Sequence, residues 1–314
     1  MRAKCSESEF IDLVQKNGVS QSAKILGVCE RNIHSRRRSI ERRRGIVIKV
    51  NDLRSPTREV QEHPARIYQE VKDGIVLVGS DGHYWPGIVT TAHRAFIHFC
   101  QKLSPKVVVM NGDEMDGVSI SRHPPIGWED VPTVQMELET VSERLDEVFK
   151  ASKSAKHIWT LGNHDSRFET RLATVAPQYA KVKGFHLKDH FPGWSPCWSV
   201  WINDDVVIKH RFKNGVHATH NNTVNSGKTM VTGHLHSLKV TPYTDYNGTR
   251  WGVDCGTLAE PYGPQFIDYL EDNPVNWRSG FAVLTFKDGQ LLDPELVRVW
   301  DKDSVVFRGE IIKV

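Results

Sequence analysis

The chain has no run approaching the ~18 consecutive apolar residues of a membrane span, and its start, Met1 to Phe10, is polar where a signal peptide would be apolar. Neither export nor a membrane partner is expected. Cysteine is scarce as well: Cys5, Cys29, Cys100, Cys197 and Cys255 are odd in number, widely scattered and form no C-x-x-C pair. That pattern excludes a disulfide framework and a zinc ribbon, and it points to a reducing, cytosolic setting. Internal repeats and low-complexity tracts are also missing. Even charge imbalance is slight, with 41 Lys/Arg against 38 Asp/Glu for a net +3.

What the chain does have is length and a divided charge. Its 314 residues, 39% hydrophobic, suffice for one large domain with a sizeable core plus a small one. Residues 1–44 hold 11 Lys/Arg and 5 Asp/Glu, a net +6, and the remainder carries −3. A basic arm beside an acidic body is expected where the arm meets a polyanion and the body holds cations; a solvated basic tail is the plainer alternative.

From Ser6 to about Gly45 the pattern is helical. Phe10, Leu13 and Val14 share one face, Ile25 and Leu26 lie on a second segment, and Ile33 and Ile40 sit a heptad apart on a third. Ser20 is a candidate N-cap for the second helix, and Gly27-Val28-Cys29 makes the turn before Glu30 opens the third. The stretch VSQSAKILGVCERNIHSRRR resembles the helix-turn-helix of bacterial regulators and transposases. Cys29 stands at a cap position where Ser is common, which weakens that helix start. Arg36 and Arg43, and likewise Arg37 and Arg44, are seven apart and share a face, making a basic stripe suited to a phosphate backbone. Arg31, Asn32 and His34 near the helix start are placed to reach base edges. A solvated or protein-contacting face is the other reading of the same residues.

Residues 46–74, with Ser55-Pro56 and His63-Pro64 inside, lack clean periodicity and read as a linker with room for a short strand and a helix. From Ile75 to the C-terminus at 314, apolar runs of strand length alternate with helical segments, as in an α/β domain. The strand expectations are 75–80, 107–111, 158–161, 205–209 and 229–232, with helices near 88–103 and 134–153.

Chemistry follows each strand. The first runs into Asp81-Gly82-His83, the second into Gly112-Asp113-Glu114-Met115-Asp116, and the third into Gly162-Asn163-His164-Asp165. The fourth runs into His210, and the fifth into Gly233-His234-Leu235-His236. Open α/β sheets gather their sites at such strand ends, and the glycines let the backbone turn tightly so that the next side chain faces the site. Three oxygen donors (Asp81, Asp113, Asn163) and four imidazoles (His83, His210, His234, His236) are too many for one metal and suit two. Their mixed N/O character favours manganese, iron or zinc over magnesium or calcium, and nickel is compatible with them. Two such metals can share a carboxylate and clamp the attacking and leaving oxygens of a phosphoryl displacement. Singly, a G-D-x-x-D turn, a G-H-x-H pair or a lone His is more often structural than a ligand; five motifs, each after an expected strand, are a different matter.

The order D-x-H, G-D-x-x-D, G-N-H-D, H, G-H-x-H is similar, motif by motif, to the calcineurin-like metallophosphoesterase family over residues 75–258. The resemblance implies a four-layer α-β-β-α sandwich preceded by the small all-α module. It implies Asp81, His83 and His236 on one metal, Asn163, His210 and His234 on the other, and Asp113 bridging. It places His164 at the leaving-group oxygen as general acid or charge stabiliser, with Asp116 orienting it. Asp254-Cys255-Gly256-Thr257-Leu258 looks like the family's Asn-x-Gly-Ser segment. The fourth motif usually reads His-Gly; here it is His210-Arg211, with His217 and His220 close behind, and His210 is preferred because it ends an apolar strand.

Tyr84, Trp85, Tyr262, Phe266, Tyr269 and Trp277 are candidates to stack bases or to pack loops, and Arg122 and His123 are candidate phosphate contacts. Because the family spans phosphatases, nucleotide phosphodiesterases and nucleases, the substrate expectation comes from the appended basic module. It is a phosphodiester hydrolase acting on DNA, a phage or bacterial nuclease, with host cytoplasm as the compartment if phage-encoded and a homodimer as one possible form. Two alternatives stay open. One is a phosphatase or small-nucleotide phosphodiesterase; the other is a DNA-binding regulator whose second domain senses a nucleotide or metal without turnover.

Overall fold

The computed structural model describes residues 5–48, 63–124, 128 and 130–314, so residues 49–62 of the expected linker lie outside the described residues. The chain divides into two compact units, Met1–His63 and Pro64–Val314.

In the first unit, helix α1 (Glu7–Leu26) opens on a capping box. The Ser6 hydroxyl accepts from the Glu9 amide at 3.3 Å, and the Glu9 carboxylate accepts from the Ser6 amide at 2.7 Å. The helix breaks at Gly18, whose backbone (φ 71°, ψ 175°) is closed to most side chains. The three expected helical segments are therefore present, but the break falls at Gly18, ahead of Ser20. Gly27, left-handed, ends α1, and α2 (Glu30–Arg44) starts at Cys29 with no side-chain cap. Phe10, Val14, Ala23, Ile33, Ile40 and Ile48 form the core. On the second segment Ala23 points inward and Ile25 is 53% exposed.

The second unit is built on two sheets. The larger contains β2 (Gly74–Gly79), β3 (Val107–Met110), β4 (Lys156–Thr160) and β5 (Ser195–Cys197), all parallel. It continues antiparallel from β2 through β11 (Gly280–Lys287), β13 (Glu295–Asp301), β14 (Ser304–Phe307) and β15 (Glu310–Lys313), with β12 (Gln290–Leu291) on β11. The smaller sheet runs β1 (Arg66–Gln69), β6 (Ser199–Ile202), β7 (Val206–Ile208), β8 (Thr229–Thr232), β10 (Gly248–Asp254) and β9 (Lys239–Asp245). Strand β1 falls inside the span read as linker and pairs in parallel with β6.

Period-two alternation sorts the apolar residues into two layers. Val76, Val78, Val107, Val109 and Ile158 face Val200, Ile202, Ile208, Val231 and Val253 between the sheets. Leu77, Val108, Met110 and Trp159 face outward to Phe96 and Phe99 of α3 (Thr91–Leu103) and to Val141 and Leu145 of α4 (Val134–Ala151). Burial on both faces explains why these strands read as unbroken apolar runs. On the far side α6 (Ala218–Ser226) lies against the smaller sheet so closely that a Cβ on Gly252 would collide with the Thr219 carbonyl. The layers are thus α-β-β-α. Two more helices, α5 (Asp165–Val175) and α7 (Ile267–Leu270), flank the strand ends where the ligand-bearing loops converge.

Candidate metal centre

Each candidate ligand leaves the C-terminal end of a parallel strand: Asp81 and His83 after β2, Asp113 after β3, Asn163 after β4, His210 after β7, and His234 and His236 after β8. The loops zip together through their backbones. The amides of Asp81, His83 and Gly233 donate to the carbonyls of Gly112, Asp113 and His210 at 2.8–2.9 Å. To aim their side chains inward, Asp81 (φ 55°), His83 (φ 37°), Asp113 (φ 55°), His234 (φ 72°) and His236 (φ 54°) all adopt left-handed backbone, a strain that collects at functional sites. Two glycines admit this crowding. A Cβ on Gly162 would strike the Asp113 carboxylate, and one on Gly233 would strike Ser80 and the Asp81 carboxylate.

Three clusters result, each with donor atoms within 4.8 Å of one another: Asp81, His83 and His236; Asp113, His210 and His234; and His83, Asp116 and His164. His236 Nε2 lies 3.0 Å from Asp81 Oδ1, and His210 Nε2 lies 3.0 Å from Asp113 Oδ2. His210 is buried and fixed by its other ring nitrogen on the Asn111 carbonyl at 2.8 Å, whereas His217 and His220 are exposed at α6. Geometry therefore favours His210 for the fourth motif.

These residues fit divalent cations. The amide oxygen of Asn163 is buried without a hydrogen-bond partner, which is costly for a protein oxygen unless it serves a ligand. The charges point the same way. Burial raises the Asp113 carboxyl, but the facing His210 more than offsets this and holds it well below the usual carboxylate range. Burial alone would lower His210, yet Asp113 and Asp81 carry it up to about 10. Burial, followed by the charge of His210, takes His234 down to about 4. Asp81 and Asp113, held charged here by the His210 proton, would give that charge to a bound cation, with His210 then a neutral ligand.

His164 sits at the rim. Its amide donates to Asp113 Oδ1 and its Nδ1 pairs with the backbone carbonyl of Asp116, both at 2.8 Å. The orienting role expected of the Asp116 carboxylate is therefore performed by its main chain. The carboxylate is 3.7 Å from His164 Nδ1 and bonds His83 Nδ1 at 3.0 Å, because His83 is the nearer ring. Burial opposes protonation of His164, but the charges of Asp116 and Asp113 raise its pKa above the usual histidine value.

Three contributors went unread in the sequence. Arg167, one turn into α5, reaches back to the Asp116 carbonyl at 3.0 Å and to His164 Nε2 at 3.3 Å. A guanidinium only donates, so this contact favours the unprotonated nitrogen, against the two carboxylates. The Asp165 carboxylate accepts from the amides of Asp113, Glu114, Met115 and Gly162 and from the Trp159 indole, at 2.8–3.2 Å, and so clamps the second and third loops. Asp254 Oδ1 does the same for the fifth loop through the amides of Ser237, Leu238 and Gly256. The Asp165 signal was its place in the G-N-H-D motif, and that of Asp254 its place in the segment that looks like Asn-x-Gly-Ser; Arg167 had none.

Of the outlying candidates, Tyr84 is buried and bonded to His93 at 2.9 Å, a core role. Trp85 is half-buried, and Arg122 and His123 are exposed. Phe266 packs edge-on to His83 at 5.0 Å, and Trp277 edge-on to His236 at 4.5 Å. Tyr262 and Tyr269 are exposed. In the first unit the arginines of the expected stripe make contacts within the unit, although Arg43 and Arg44 stay exposed. Arg36 lies over the Phe10 ring at 4.4 Å and donates to the Cys5 carbonyl at 2.8 Å. Arg37 pairs with Glu41, and Arg43 and Arg44 both pair with Glu7. The side chains of Arg31, Asn32, Arg38 and Arg42 are exposed too, and His34 is half-buried.

Fold and donor set together define the class: an α-β-β-α scaffold with donors for two metals, the arrangement that the resemblance to calcineurin-like metallophosphoesterases leads one to expect. No family model matches the chain. It is 28% identical over 229 residues to the Gene 54 protein of Mycobacterium phage L5, covering 66% of this chain and 86% of that one. Among solved structures it is similar to an archaeal phosphodiesterase (16% identity, 72% of this chain and 99% of that one, TM-score 0.36). It is also similar to a dimetal phosphatase from Danio rerio (11%, 76% and 99%, TM-score 0.35).

Proposed function

We propose that this chain is a two-metal phosphodiester hydrolase whose substrate is DNA. The observation that carries the hydrolase reading is the pair of donor clusters, Asp81/His83/His236 and Asp113/His210/His234, meeting beside a histidine whose imidazole bonds neither the Asp113 nor the Asp116 carboxylate directly. Asp81, His83 and His236 would hold one cation, Asn163, His210 and His234 the other, and Asp113 would serve both. When bound, such cations polarise a phosphoryl oxygen and acidify a water. The protein's own residues do the rest. Asp165 and Asp254 keep the loops in register, and the Asp116 carbonyl fixes the His164 ring. Arg167 donates to the bare His164 Nε2, so it must leave that nitrogen before His164, whose pKa Asp116 and Asp113 raise, carries a proton there for the leaving oxygen.

Two features favour a polyanion. Arg211, standing where the family usually has glycine, is exposed and near enough to His234 to depress its pKa. On α2, Arg31, Arg38 and Arg42 are spaced seven and four apart, on the side away from Ile33 and Ile40, and keep their charge exposed. We assign the phosphate-contacting stripe to these three in place of Arg36, Arg37, Arg43 and Arg44, with Arg31 and Asn32 nearest the base edges. Manganese is the first cation to try for this donor set.

The test is incubation with linear and closed-circular DNA in Mn²⁺. Cleavage should fall by about 10²–10⁴-fold in His164→Ala. In the Arg31/Arg38/Arg42→Ala triple variant, DNA affinity should drop, with a salt slope smaller by roughly 3. Intact DNA in every tube, from protein that still hydrolyses a phosphate monoester, would sink the DNA reading.

A further inference from the structure

The long connection between β10 and β11 carries the sequence Glu260-Pro-Tyr-Gly-Pro-Gln-Phe-Ile-Asp-Tyr-Leu to Trp277. Long ordered connections are costly and are commonly functional. This one folds back on the metal centre and builds its own small core from Ala259, Phe266 and Leu270, with Val275 and Trp277 packed against it. The Gln265 amide ties it to the His83 carbonyl at 3.2 Å. Its rings form a continuous series. Phe266 lies 5.0 Å from His83 and 5.1 Å from Trp277, and Trp277 lies 4.5 Å from His236. Tyr269 continues the series, 6.5 Å from Trp277 and only 15° from parallel to it.

Packing accounts for Phe266, which is 5% exposed. It does not account for Tyr269, which is 70% exposed at the outer end of the series and adds nothing to the small core. The charges nearby also discriminate. Asp268, Glu271 and Asp272 are exposed around Tyr269, with Arg278 the exposed cation beside Trp277, so the segment's net charge disfavours a phosphate at Tyr269, whose uncharged ring is exposed. A ligand that sets its phosphate among the ligand histidines and carries a flat ring beside it would meet Trp277 and Tyr269.

Resting on the phosphoester reading above, we propose that Tyr269 and Trp277 form a stacking platform for the base of a nucleotide whose phosphate occupies the metal centre. Base–aromatic stacking is tolerant of sequence because every base has a π-face. The platform therefore selects nucleotide esters over aliphatic ones without reading sequence.

Calorimetry on the full chain with Mn²⁺ tests this without relying on turnover. Thymidine 5′-monophosphate should bind about ten-fold more tightly than methyl phosphate, within the range stacking supplies. Tyr269→Phe should keep that preference and Tyr269→Ala should abolish it. Because Tyr269 is exposed, neither change should unfold the protein. Equal binding of the two phosphates by the wild type, or an undiminished preference in Tyr269→Ala, would overturn the platform and leave the phosphoester reading standing. Failure to bind either phosphate would instead remove that reading, and the platform with it.

Discussion

Glu137 shows how one buried side chain sets a pH limit on the whole fold. It lies on α4, and one oxygen accepts from the Gly117 amide at 2.6 Å while the other has no hydrogen-bond partner. Burial, working against that hydrogen bond, pushes its carboxyl from 4.5 up to about 7. The folded pKa exceeds the unfolded one, so the stability it confers is complete below about pH 4.5 and is lost as pH rises through about 7. Glu137→Gln keeps the acceptor and removes the titration. Thermal melts should show the variant more stable than wild type by about 1–3 kcal/mol at pH 8, with the two nearly equal at pH 4. A gap that does not change with pH would contradict this. Nothing in the sequence marks Glu137, because its meaning comes from the loop that α4 packs under. The same holds for Arg167: it follows His164 by one helical turn, and only the fold shows that the turn points it back at the imidazole.

At the scale of elements, legibility followed burial. Strands β2, β3, β4, β7 and β8 were readable because both of their faces are covered and the apolar run is unbroken. The ligand at the end of each was readable with it. Strands β9, β13 and β15, half-exposed and carrying charged residues, have no such run and are visible only in three dimensions. On α2 the residue types were legible but their allegiance was not. A seven-residue spacing put Arg36 with Arg43, and the same spacing serves equally well to dock Arg36 on Phe10 and Arg43 on Glu7. Arg36→Ala should therefore cost the first unit about 1–3 kcal/mol, from a lost cation–π contact and the hydrogen bond to the Cys5 carbonyl. Helical circular dichroism followed through melting reads this directly. Unchanged melting with weakened DNA binding would return Arg36 to the phosphate-contacting set.

The whole molecule joins a basic helical unit to an acidic-cored α-β-β-α unit, and its function turns on whether the second unit's seven donors take up two cations and use them. That is measured by titrating metal-free protein with Mn²⁺ in a calorimeter and following bis(p-nitrophenyl) phosphate hydrolysis on the same samples. Two ions per chain should bind, with hydrolysis reaching its plateau only as the second binds. His164→Ala should take up both ions yet lose about 10²–10⁴-fold in rate. Uptake of one ion or none, or hydrolysis that persists after the metal is removed, would contradict it.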